Sequence, residues 1–204
     1  MSESARPWPE MRYVVVDVEG NGQQPPDLVE LAVLPIAGGR IGEPTAWLVR
    51  PQTPITPMAR RIHGIRNEDL ADAPSFEAVR GAVLAHLGDA VVVGHNVRVD
   101  LGVLCRKLPG WVPPVAIDTL RLARRLLPTM GSYRLGALVA ALDLAEDLPA
   151  GLQPHRAAYD VLVTARLFTR LATAPDGAPR TFEELREAGA LPATAPEPEP
   201  RLFE

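Results

Sequence analysis

Asp17 and Glu19 stand two residues apart at the end of the chain's most hydrophobic run, Arg-Tyr-Val-Val-Val-Asp-Val from Arg12. In an extended strand the side-chain period is two, so both carboxylates project to one side. Two anions held together beside an apolar core repel each other and are driven towards protonation unless a cation compensates. After Arg12 the next basic residue is Arg40, so the local sequence supplies none. A divalent metal ion is the natural compensation, although an ordinary solvated strand end also explains the pair taken alone.

Two further clusters carry the same chemistry. His95-Asn96, followed by Asp100, comes straight after Val91-Val92-Val93, which puts Asp100 in the first turn of a helix. An acid there also suits the helix dipole on its own account. His155 precedes Asp160 by five residues. A helix advances about 100° per residue, so the two would lie about 140° apart in a regular helix and share no face. Pro154, tolerated at a helix start, implies that His155 precedes the regular helix and is free to lean over a site anchored by Asp160. Oxygen ligands from Asp17, Glu19, Asp100 and Asp160 suit Mg²⁺ or Mn²⁺ rather than zinc, and a histidine off the metal suits a general base activating water. Gly20-Asn21-Gly22 would let a ligand approach the backbone closely, though a tight turn accounts for it equally well.

These residues need elements to position them. Arg12 to Val18 reads as a strand buried on both faces, Asp27 to Ile36 as a second, and Gly42 to Val49 as a third, with a hairpin turn at Gly38-Gly39. Helices are predicted from Pro57 to Arg61, from Ser75 to Leu87 and from Val97 to Leu108. More follow from Asp118 to Leu126, Arg134 to Leu142 and His155 to Leu171, with one more over Thr181 to Ala188. Val91 to Val93 and Val115 to Ile117 are short buried strands. Three antiparallel strands followed by helices alternating with two short strands imply an α/β domain, a mixed five-stranded sheet covered by helices.

A chain of 204 residues with 47% hydrophobic residues fits one domain. We expect a flexible leader over 1–11, the domain over 12–190, and a flexible Pro/Glu-rich tail over 191–204. The 22 prolines and 16 glycines have no period, which excludes collagen-like classes. A lone cysteine, Cys105, and no apolar signal segment or membrane-length run point to a reducing compartment, the cytoplasm, with no membrane partner. Net charge is −4, yet Arg98 to Arg134 holds seven basic residues against Asp100 and Asp118, either a phosphate track or solvated helix faces.

At its three acidic motifs the chain resembles the DEDDh 3′–5′ exonuclease family, which includes epsilon-type proofreading exonucleases, ribonuclease T and oligoribonuclease. Asp17-x-Glu19, His95-Asn96 with Asp100, and His155-x-x-x-x-Asp160 match its motifs in order, and His63-Gly64-Ile65, Asp118-Thr119 and Tyr133-Arg134-Leu135 match between them. The resemblance spans roughly Arg12 to Leu171. It implies a ribonuclease H-like fold and two metal ions per site, Mg²⁺ or Mn²⁺. Asp17, Glu19 and Asp160 would hold the ion beside the attacking water, Asp17 would bridge to a second ion supported by Asp100, and His155 would deprotonate the water. Gly20, Asn21, His63 and Asn96 are the candidates for substrate contact, with His63 also readable as a packed loop residue. Two departures bear on substrate preference: Gly20-Asn21-Gly22 where the family often has Thr-Thr-Gly, and Val99 where it often has Phe before the second Asp.

The resulting expectation is a metal-dependent exonuclease releasing nucleoside 5′-monophosphates from a free 3′ end, DNA favoured over RNA. Its alternatives are an RNA 3′-end trimmer and a non-catalytic nucleic-acid-binding or polymerase-docking module. Arg201-Leu202-Phe203, near the chain end, is a candidate docking motif for a replication partner such as a polymerase or sliding clamp.

Overall fold

The strand that ends in the first two acids is the middle of the sheet. β1 (Arg12–Gly20) pairs antiparallel with β2 (Leu28–Ala37) on one side and parallel with β5 (Val91–Gly94) on the other, and β6 (Ala116–Asp118) extends β5 in parallel. The computed structural model describes residues 5–192. Beyond β2 the expected single third strand is two pieces, β3 (Arg40–Ile41) and β4 (Thr45–Leu48), both paired with β2. Gly42-Glu43-Pro44 separates them, and proline cannot donate to a ladder. The mixed sheet of the sequence reading is otherwise as expected, with seven helices around it among the described residues.

Period-two alternation on β1 sorts its side chains onto two cores. Tyr13 and Val15 face α6 (Ala157–Ala172), whose Val161, Ala165 and Phe168 are buried against them. Val14, Val16 and Val18 face the other layer, with Val83 and Leu87 of α2 (Phe76–Leu87) and Leu101 and Leu104 of α3 (Arg98–Lys107). Burying each such side chain is worth about 1.5–3 kcal/mol over leaving it in water, so β1 is clamped from both sides. Asp17 and Glu19 continue the Tyr13–Val15 face and therefore emerge on the α6 side.

Around this platform lie α1 (Pro57–His63), α4 (Thr119–Leu126), α5 (Leu135–Ala141) and α7 (Phe182–Gly189). Asp118 caps α4 by accepting from the Leu120 N–H, as its position suggested, while Ser75 makes no side-chain cap on α2. Thr181 and Glu184 form a reciprocal capping box on α7.

Residues 6–11, expected as a loose leader, dock instead. Trp8 is 6% exposed, its ring edge-on to Phe168 at 6.1 Å, and its N–H donates to the Arg180 carbonyl. The Phe182 N–H in turn donates to the Arg6 carbonyl. A tryptophan in a polar, proline-bearing stretch finds an apolar seat beside α6, which composition alone did not reveal. At the other end Leu191 still donates to the Ala116 carbonyl of β6. The rest of the Pro/Glu-rich tail, with Arg201-Leu202-Phe203, lies outside the described residues.

Candidate active site

Three of the four acids converge where β1 ends beneath the start of α6. Asp17, Glu19 and Asp160 each offer a carboxylate oxygen, all within 4.8 Å of one another. Asp17 Oδ2 is enclosed with no hydrogen-bond partner. A buried, unpartnered anionic oxygen facing two further carboxylates is the donor set a hard divalent cation requires, so these residues fit the metal the sequence implied. Asp100 comes from the opposite layer. Beyond Val15 the parallel ladder between β1 and β5 has ended, and Asp100 Oδ1 accepts the freed Val18 N–H at 2.9 Å.

Crowding and burial act together on these groups. Burial first, then Asp160, Asp100 and Glu19, hold Asp17 well above the usual carboxylate range. Burial and the neighbouring acids push Glu19 up to about 9. Asp100 rises to about 8, mainly by burial and against the Val18 N–H, and Asp160 to about 7, against the His155 backbone N–H. Such a site holds all its charges at neutral pH only with a compensating cation.

His155 is exposed on the same cleft, one residue before the N-cap of α6, with φ +61°. It is outside the regular helix, as the spacing and Pro154 required. The cleft has a volume of about 1740 Å³. The four acids (Asp17, Glu19, Asp100 and Asp160) and His155 line it, with Asn96 and three exposed arginines, Arg61, Arg124 and Arg134, on its walls.

The model of the exonuclease family that includes ribonuclease T matches residues 14–168, and so takes in every one of these groups. The chain belongs to this exonuclease family. The chain is 38% identical over 154 residues to exodeoxyribonuclease 10 of Escherichia coli (strain K12), a match covering 75% of this chain but slightly under two thirds, 65%, of that protein's length. It is 32% identical over 176 residues to a PolC-type DNA polymerase III of Halalkalibacterium halodurans, covering 83% of this chain but 12% of the polymerase. Among solved structures, exonuclease X in complex with 5′-overhanging duplex DNA superposes with a TM-score of 0.65 at 33% identity, covering 82% of this chain and 97% of that one. The nuclease domain of 3′hExo, a DEDDh family member bound to rAMP, shares the fold at a TM-score of 0.66 and 16% identity. The fold is accordingly ribonuclease H-like, as the resemblance implied.

The other sequence candidates sort differently. Asn96, at φ +59°, is exposed on the cleft, its backbone N–H held by Asp118 Oδ1 at 2.8 Å. Gly20, Asn21 and His63 are not on the cleft wall. Asn21 is fully buried: its amide donates to Thr53 and its Oδ1 accepts from the Gln23 and Asp27 N–H groups. Its carbonyl accepts the Thr56 N–H that opens α1. Gly22, at φ +77°, allows this contact, since a Cβ there would lie 2.3 Å from Thr56 Oγ1. The Gly-Asn-Gly departure thus ties the first motif to α1, which carries Arg61 and Ile62 onto the cleft wall. His63 is 3% exposed, and its Nδ1 accepts the Ile65 N–H. His95 is neutral, pushed down to about 4 by burial, and its Nε2 donates to the Tyr133 carbonyl at 2.9 Å. It fastens the second motif to the Tyr133–Arg134 wall.

One pair beside the acids was not expected from the sequence. The β1–β2 register sets Glu30 directly opposite Glu19, and Arg156 bridges to Glu30 with Nη2 2.7 Å from Oε1. A glutamate inside the otherwise apolar run Leu-Val-Glu-Leu-Ala-Val was the available signal.

Proposed function

We propose that this chain is a metal-dependent 3′–5′ exonuclease that removes nucleotides from DNA ends. The observation that carries the reading is the convergence of Asp17, Glu19 and Asp160 within 4.8 Å beneath a cleft whose lip bears His155. DNA is favoured by the likeness to exodeoxyribonuclease 10 and to the DNA complex of exonuclease X.

Asp17, Glu19 and Asp160 would hold one ion, and Asp17 with Asp100 a second. When bound, the pair supplies Lewis acidity and charge neutralisation at the scissile phosphate. The chain's own residues do the rest. A ring nitrogen of His155 accepts the proton of the attacking water as its oxygen bonds to phosphorus. The bond from phosphorus to the 3′-oxygen of the preceding nucleotide breaks, that oxygen takes up a proton, and a nucleoside 5′-monophosphate leaves. Asn96, exposed on the cleft, would donate to the terminal nucleotide, and the exposed guanidinium groups of Arg61, Arg124 and Arg134 would meet phosphates along the cleft.

The test compares 5′-labelled single-stranded DNA, mismatched duplex and RNA of the same sequence with Mg²⁺. Stepwise shortening of the DNA from its 3′ end is expected. Faster shortening of the RNA would turn the reading to an RNA trimmer, and no shortening of any of them would leave a binding module.

The basic track has its own check. Arg124 lines the cleft and Arg125, its exposed neighbour on α4, does not. Each phosphate contact contributes about 0.7 to the log–log salt slope on single strands. Arg124→Glu should weaken DNA binding and lower the slope by about that amount, whereas Arg125→Glu should leave it near wild type. Equal slopes in both variants would return Arg124 to the solvated helix face.

A further inference from the structure

We propose that Arg156 and Glu30 form a positioning pair that aims His155 at the attacking water, rather than a brace of the fold alone. The inference rests on the reading of His155 as the base. Glu30 is 3% exposed on the face that carries Glu19. Arg156 grips it with both arms, Nε to Oε2 at 3.0 Å and Nη2 to Oε1 at 2.7 Å, and the Ala157 N–H adds a third bond to Oε2 at 3.0 Å. Strand β2 thereby holds the first residues of α6 by a planar, two-point contact that fixes orientation as well as distance.

What that contact orients is the third motif. Immediately before Arg156, His155 adopts φ +61°, a left-handed conformation that a histidine keeps only when its surroundings impose it. The Arg156 N–H donates to the Gln153 carbonyl across that turn, and the Arg156 carbonyl accepts the Asp160 N–H at 3.1 Å. One residue therefore fastens the turn that presents the imidazole and the backbone of the metal-binding Asp160. With three bonds accepted, Glu30 is committed to this grip and is not one of the acids whose oxygens gather within 4.8 Å.

Lysine at 156 would keep the charge and lose the two-point grip. The experiment measures kcat, KM, Mg²⁺ dependence and thermal midpoint on a single-stranded DNA oligonucleotide for wild type, Arg156→Lys, His155→Asn and the double variant. Asn is chosen because it tolerates left-handed backbone. Arg156→Lys is expected to lower kcat about tenfold, with KM and the Mg²⁺ midpoint within twofold. In the His155→Asn background the same change should cost nothing further, because a misaimed base that is already absent loses nothing. Glu30→Gln should repeat the pattern and serves if Arg156→Lys is unstable. An equal loss in both backgrounds, a loss that follows the Mg²⁺ midpoint or thermal midpoint, or no loss at all overturns the proposal. Wild-type turnover in His155→Asn would instead remove the base assignment beneath it.

Discussion

Asp17→Asn should cost about 10³-fold or more in turnover and at the same time raise the thermal midpoint of the protein freed of metal. The activity loss follows from removing the ligand shared between the two proposed ions. Several kcal/mol of transition-state charge stabilisation depend on them, and each 1.36 kcal/mol is about tenfold in rate. The stability gain follows from the same crowding. Asp17 is held well above the usual carboxylate range by burial and by Asp160, Asp100 and Glu19, so its charge is a net liability without a cation. A neutral amide of the same shape relieves it, and each kcal/mol relieved raises the midpoint of a chain this size by about 2–4 °C.

The pH dependence has a definite sign. These acids bind protons more tightly in the folded state than unfolded, so their contribution to stability is complete below about pH 4 and falls as pH rises. The fall continues through the folded values, about 7 for Asp160, 8 for Asp100 and 9 for Glu19. The metal-free protein should therefore lose stability steadily from pH 4 to 9, added Mg²⁺ should restore more of it at the alkaline end, and chelator should abolish activity throughout. Melting curves with and without Mg²⁺ at pH 5, 7 and 9 read all of this. A metal-free midpoint that does not fall with pH, or an Asp17→Asn variant less stable than wild type, would mean the acids are not crowded as described.

How far the sequence disclosed this site depended on whether each residue's role was local. Asp17 and Glu19 were legible because strand periodicity alone puts them on one side of β1. Asp100 and His155 were legible because a helix start fixes them. Glu30 was not, since only the β1–β2 register brings it opposite Glu19, and its partner Arg156 is 126 residues away. Asn21 misled for the complementary reason: beside two glycines it looked free to meet a ligand, whereas its amide is spent on Thr53, Gln23 and Asp27. Trp8 seats itself on Phe168, a contact between residues far apart in the sequence that no local pattern encodes. The sheet was read almost whole, because β-branched runs and their turns are local signals; the split of the third strand at Pro44 changes its edge and not the site.

The third motif joins two tasks that separate by substitution. Asp160 lies within 4.8 Å of Asp17 and Glu19, so Asp160→Ala removes a ligand oxygen from the cluster and should lose both Mg²⁺ affinity and nearly all turnover. His155 is exposed on the same cleft, and its side chain is not one of the clustered ligands. His155→Asn keeps the left-handed turn but cannot take a proton, so Mg²⁺ affinity by calorimetry should stay near wild type. Turnover should fall by about 10²- to 10⁴-fold, the usual range for a positioned base. Their pH profiles should diverge as well. The variant, left to hydroxide, should keep gaining activity with pH through the alkaline range where the wild type does not. Loss of Mg²⁺ binding in His155→Asn comparable to that in Asp160→Ala would make His155 a ligand or a support, and the proton would then need another acceptor among the groups on the cleft wall.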